Sequence, residues 1–215
     1  ARPQKSRSEA GLVIRLYVAA VYVVLWGVAL TAPPTTTSIG DLFAFRGPDE
    51  WSIAIFNLMG VWPILFAAPL WADGPMQRVP AWPFVILSFA AGAFILGPYL
   101  LLRNWTAPAK TSGKLLALGT HPVVAVFCAL AIAGLFGFGL SGSMGDYVER
   151  VVNDGFVRTY SMDFVAITLL YPVVAGHDRA RLGRSPWVWW LAIPMVGAVV
   201  HLWQRRSAAA RPAAT

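Results

Sequence analysis

A chain of 215 residues that is 57% hydrophobic and only 13% charged departs from a water-soluble domain, which carries charge on roughly a quarter of its residues. A domain of this size must still cover most of its surface with solvated groups, so the shortfall points to lipid as the solvent. The net charge of +7 does not argue for nucleic acid, because the Lys and Arg residues gather at the ends of apolar blocks, where lipid headgroups account for them.

The apolar residues come in long blocks without the two-residue alternation of a β-barrel strand, so the expected fold class is all-α. It is a polytopic membrane helical bundle of about six transmembrane helices plus one interfacial amphipathic helix. A single cysteine, Cys128, rules out an internal disulfide.

Residues 1–11 form a basic N-terminal tail. It suits either the mature end left by removal of an organellar presequence or a basic tail on a trimmed chain. Residues 12–206 read as one membrane domain. The first span is 12–32, with Arg15 one turn inside and Pro33-Pro34 behind it. The second, 51–71, has a Trp at each end, and Pro63 and Pro69 should kink its second half. A short turn leads to the third, 81–102, expected to pair with the second as an antiparallel hairpin. A basic loop with Lys110 and Lys114 precedes the fourth, 123–140.

From Asp146 to Val157, apolar Tyr147, Val148, Val151, Val152 and Phe156 share one helical face and charged residues the other. This predicts a helix over 146–157 in the interface plane. The block 164–176 is short and crosses only if the helix extends back to about 160; otherwise it is buried or re-entrant. The last span is 187–203, followed by Arg205-Arg206 and a disordered tail, 207–215. Six crossings would put nine Lys and Arg (Arg2, Lys5, Arg7, Arg78, Arg150, Arg158, Arg205, Arg206, Arg211) on the side of both termini and seven on the other. That balance leans slightly towards termini on the positive side.

Few residues suggest chemistry. Gly137, Gly139 and Gly142 have dinucleotide-loop spacing but no strand before them, so that reading fails. The same region places Ala125, Ala129, Ala133, Gly137, Ser141 and Gly145 every fourth residue, a small-residue ridge that lets another helix approach closely. His121, His177 and His201 lack the spacing of metal ligands on a shared face, and no Cys pair assists them. His201, inside the last apolar block, is a packing histidine or an axial ligand to chlorophyll or haem. No other cofactor is evident. Asn57 and Asp163 are the polar residues within or bordering spans; Asp163 is either a helix cap or a buried acid paired with Arg150 or Arg158. No metalloprotease, phosphate-loop or nucleophile-elbow motif is present, so no enzyme activity is expected.

Two stretches, FNLMGVWPILFAAPL (56–70) and PAWPFVILSFAAGAFILGPYLLLR (80–103), together with SMDFVAITLLYPVV (161–174), resemble a family of small multi-span membrane proteins of cyanobacteria and plastids. The resemblance implies a chloroplast thylakoid or inner-envelope location and carries over no catalytic or ligand residues. The expected function is a non-enzymatic subunit or assembly factor of a photosynthetic or protein-import membrane complex. Its partners would be membrane lipids and other membrane-protein subunits. The alternative is a small transporter or channel, with a pathway lined by proline-broken spans and Asp163.

Overall fold

A computed structural model describes residues 4–72, 74–107 and 113–209. Lys110 and the outermost residues of both expected tails lie outside the described residues. All regular structure among those described is helical: α1 (Gln4–Leu30), α2 (Ile39–Phe43), α3 (Glu50–Met59), α4 (Trp62–Trp71), α5 (Ala81–Leu102), α6 (Lys114–Gly119), α7 (Pro122–Gly139), α8 (Met144–Asn153), α9 (Gly155–Arg181) and α10 (Val196–Ala209). Five stretches are long and apolar enough to cross a membrane: Glu9–Leu30, Glu50–Trp71, Ala81–Leu102, Pro122–Gly139 and Gly155–Arg181.

Contacts give the direction of each helix. Tyr17 donates to the Leu169 carbonyl at 3.1 Å and the Gly155 amide to that of Pro34 at 3.2 Å, so α1 and α9 are antiparallel. Trp51 stacks edge-on against Phe136, and Gly119 lies against Ala68, so α3–α4 is antiparallel to α7. Tyr160 donates to the Ser52 carbonyl and Tyr171 packs on Phe66, so α9 runs parallel to α3–α4. One end of the bundle therefore carries 31–50 and 140–155; it is called here the α8 end. The other carries 4–11, 71–72, 74–81, 103–107, 113–122, 177–187 and the outer turns of α10, and is called the terminal end.

The expected third span does not run from one end to the other. Ala91 (φ −149°, ψ 29°) and Gly92 (φ +41°, ψ −123°) leave helical geometry, and the chain reverses there. Phe84 and Tyr99 ring centroids are consequently 5.1 Å apart, whereas fifteen residues of straight helix would separate them by about 22 Å. The Gln77 side chain bonds both the amide and the carbonyl of Asn104, at 2.7 and 3.1 Å. Both ends of α5 thus sit at the terminal end. Each half, 81–90 and 93–102, is about 15 Å long, half a hydrocarbon core.

The last apolar block also differs from expectation. Instead of one helix over 187–203, it makes a 3₁₀ turn (Trp189–Ala192) and then α10 from Val196. Pro194 and a positive-φ Met195 (φ 60°) divide them, because proline disfavours helix before it and offers no N–H. Tyr171 donates to the Ala198 carbonyl and Arg205 pairs with Asp178, so α10 runs beside the second half of α9 and out at the terminal end.

Three boundaries are set by the structure. The helix over 164–176 does extend back past 160, as crossing required: it belongs to a continuous 27-residue helix, α9, whose length of about 40 Å suffices to cross. The amphipathic helix ends at Asn153, and Asp154 caps α9 instead of lying within α8. The second span bends at Gly60–Val61, before Pro63, because Pro63 has no N–H for the Met59 carbonyl.

Gly92 is required by its position. An added Cβ would run into the Asp163 carboxylate and the Met59 methyl at a positive φ, where a side chain is strained. Gly92→Ala should cost at least about 2 kcal/mol of stability, read by thermal unfolding in detergent. Gly134→Ala, where nothing lies within 4 Å, should be neutral or slightly stabilising; equal effects would show that α5 does not reverse tightly at Gly92.

Candidate functional site

Three polar clusters arise from residues far apart in sequence. The first is at the turn of α5. Asp163, 4% exposed, accepts the Ala93 amide at 2.7 Å through Oδ1. The reversal leaves the second half of α5 with free N–H groups and a positive dipole end, which an acceptor must satisfy where water is absent. Asp163 therefore caps another helix, not its own. Neither suggested cation is its partner: Arg158 donates to the Val151 and Val152 carbonyls at the end of α8.

The second cluster is at the α8 end, around Asp154. Its Oδ2 accepts the amides and hydroxyls of Thr36 and Thr37 at 2.5 to 2.9 Å, and its Oδ1 accepts the Phe156 and Val157 amides. One carboxylate thus holds the α1–α2 loop to the start of α9. Asn57 works nearby, donating to the Leu42 carbonyl at 3.1 Å and to that of Ile53 at 2.9 Å, so it ties α2 to α3. Burial of Asp154 would raise its pKa, but the bonds from Thr36, Val157 and Thr37 outweigh it and hold the carboxyl well below the ordinary value. A lowered pKa contributes stability above the unfolded value near about 4, and that stability is lost as pH falls through the folded value. Asp154→Ala should therefore be clearly less stable than the native chain at neutral pH, and the gap should narrow below about pH 4. Unfolding in detergent at both pH values checks this; a constant gap would contradict it.

The third cluster joins α9, α10 and the loop after α5 at the terminal end. Asp178 is fully buried, with Arg205 Nη1 at 2.7 Å, Arg181 Nη2 at 3.2 Å and His201 Nε2 at 3.2 Å. Arg179 donates to Gln204 Oε1 at 2.6 Å and the Ser185 carbonyl at 2.9 Å, and lies over Trp190. Arg184 donates to the Gln204 carbonyl at 3.0 Å. His177 Nε2 bonds the Trp105 carbonyl, and Arg103 stacks over the Trp105 ring. These bonds clamp 183–209 and 103–107 to the end of α9.

His201 is 1% exposed, against Asp178 and the Tyr171 ring. An axial ligand needs an open face beside the imidazole, and this ring has none, so it does not fit a chlorophyll or haem. Cys128 is buried in the core. Among the described residues no three His, Cys, Asp or Glu come together to hold a metal ion.

The small-residue ridge of α7 lies almost wholly outside the bundle. Ala125 is buried, but Ala129, Ala133, Gly137, Ser141 and Gly145 are exposed. Gly134 and Gly137 have nothing within 4 Å. The inward contacts of α7 use Cys128 and Gly139 instead, the latter against the Trp51 ring. At the terminal half an apolar groove of about 310 Å³ runs between α7 and α10, lined by Ala125, Ala129, Val199 and Trp203.

Spans at 160–176 and 187–203 leave Asp178 in the connection between them, and nothing in the sequence pattern marks Arg205, Arg103 or Asp154 as buried groups. A signal for Asp178 existed. Asp163, Ile167, Leu170, Val174 and Asp178 recur at helical spacing on the buried stripe of α9, so extending the short apolar block by one turn would have exposed it.

No protein-family profile, curated protein or solved structure matches this chain. The five long apolar helices fit an integral membrane protein.

Removing the Asp178 charge would leave Arg205 and Arg181 without its compensation. Asp178→Asn should cost about 3–5 kcal/mol and expose 183–209 to added protease. Unchanged unfolding and proteolysis would mean the clamp carries no stability.

Proposed function

We propose that this chain is a non-enzymatic integral membrane subunit or assembly factor that docks a helix of another membrane protein on α7. The supporting observation is the outward ridge of α7. Ala133, Gly137 and Ser141 are exposed and the described residues cover none of them; a glycine inside a helix costs stability, and small residues in such a row let another helix backbone come close. The interior supports the same reading, because Asp163, Asp178 and His201 are each engaged within the fold. Trp62, Phe66 and Tyr171 fill the space between α4 and α9.

In the membrane, α1, α3–α4, α7 and α9 cross. The two arms of α5 and the 183–209 segment enter and leave by the terminal end. α8 lies in the interface, with Val148 and Val152 outward. The resemblance to cyanobacterial and plastid proteins supports a thylakoid or inner-envelope complex, photosynthetic or protein-importing.

A second reading, a small transporter, draws on one observation: a helix broken at mid-membrane with its N-terminal end on a carboxylate, as in transporter substrate sites. Here that carboxylate is already occupied by the Ala93 amide.

Extraction in mild detergent separates the two. A subunit should migrate in a defined larger complex, and Gly137→Leu should release it while leaving the chain's own unfolding unchanged, since nothing internal lies within 4 Å. A free small oligomer, unaffected by that substitution, would overturn the subunit reading and favour transport.

A further inference from the structure

The fold-back of α5 changes which loops share a side, and with them the distribution of charge. Among the described residues, Lys5, Arg7, Arg15, Arg78, Arg103, Lys114, Arg179, Arg181, Arg184, Arg205 and Arg206 belong to the terminal end, and only Arg46, Arg150 and Arg158 to the α8 end. The acids run the other way. Asp41, Asp49, Glu50, Asp146, Glu149 and Asp154 are at the α8 end, against Glu9 and Asp178 at the terminal end. The near-even split expected from six straight crossings becomes eleven cations against three.

Asp178 pairs with the buried Arg205 and with Arg181, so the charge it offsets is theirs and not that of the exposed cations. Arg15, Arg78, Lys114 and Arg206 are exposed at this end. Tryptophans mark the same level: Trp82, Trp187, Trp189 and Trp203 are 52%, 68%, 79% and 49% exposed, and Arg206 lies over the Trp203 ring. Indole rings prefer the headgroup layer, and Lys or Arg beside them fits acidic headgroups.

From this asymmetry, and resting on the topology proposed above, we infer that the terminal end faces the positive-inside compartment and is an interaction surface for anionic lipid headgroups. The α8 end, acidic and with its loop held by Asp154, faces the opposite compartment. Retention of cations in short loops next to membrane helices sets this orientation during insertion. The surface cations then meet the anionic lipids of that leaflet, whose attraction falls off within a Debye length.

Single cysteines in a Cys128→Ala chain, expressed in the plasma membrane of a bacterial host, test the orientation. With a membrane-impermeant maleimide on intact spheroplasts, Ala44→Cys and Gly145→Cys should be labelled. Met76→Cys, Thr106→Cys and Ser185→Cys should react only after permeabilisation. If all three of the latter label in intact spheroplasts and the former two do not, the topology holds but the orientation is overturned. If Met76→Cys and Thr106→Cys label from opposite sides, α5 crosses and the proposed topology itself fails. For the lipid surface, the protein is reconstituted in vesicles of phosphatidylcholine and phosphatidylglycerol, and the lipids retained on gentle extraction are measured by mass spectrometry. Phosphatidylglycerol should be enriched over its share of the vesicle, and the enrichment should fall when Arg78, Lys114 and Arg206 are all replaced by Gln. Retention in proportion to the vesicle composition would overturn the headgroup surface.

Discussion

Inside a bilayer no water is at hand to satisfy a backbone group that leaves a helix, and the bond from the Ala93 amide to Asp163 answers that constraint where α5 turns back. A reversal in hydrocarbon exposes the first N–H groups of the returning helix. One carboxylate, 4% exposed on a neighbouring helix, takes one of those bonds and faces the positive end of the helix dipole. Gly92 lets the backbone turn at φ +41° while leaving room for that carboxylate. The Met59 methyl closes the other side, next to the Gly60–Val61 bend of the second span. Hairpin, cap and bend therefore meet at one depth.

Two other carboxylates play comparable parts at the two ends. Asp154 gathers six donors from a loop and a helix start, which fixes the α8 end. Asp178 collects Arg205, Arg181 and His201, which fixes the segment that never forms a full last span. A buried ion pair is weak evidence for stability in itself, since desolvation offsets much of the attraction. Its value here is positional: α10 is short and is preceded by a broken turn, and the pair fixes its outer end beyond the core contacts of Ala198 and Leu202. With polar groups engaged inside and small residues left open on α7, the outer surface is where the chain has scope for partners.

Much of this was legible in the sequence, because membrane helices are written locally. The apolar blocks became helix except the last, which Pro194 divides; His121-Pro122 began α7, and the apolar stripe of 147–152 became α8. Asn57 and Asp163 lie among the spans as expected, but their partners, the Leu42 carbonyl and the Ala93 amide, did not follow from their neighbours in sequence. The ridge of α7 was visible as spacing, yet spacing alone gave no sign of which way it faced.

What the sequence determined by itself is therefore the solvent and the helices, since hydropathy and helical period act over one or two turns. What only the tertiary structure decided is the path between them. A 22-residue apolar block is compatible both with crossing and with turning back, and the choice rests on a carboxylate seventy residues away. The same choice moves the loop after α5 to the other end of the bundle, and turns a nearly even charge balance into a strongly one-sided one. Asp178 likewise reads as a loop residue until α10 folds against α9 and encloses it, because burial is a property of neighbours brought together by the whole fold.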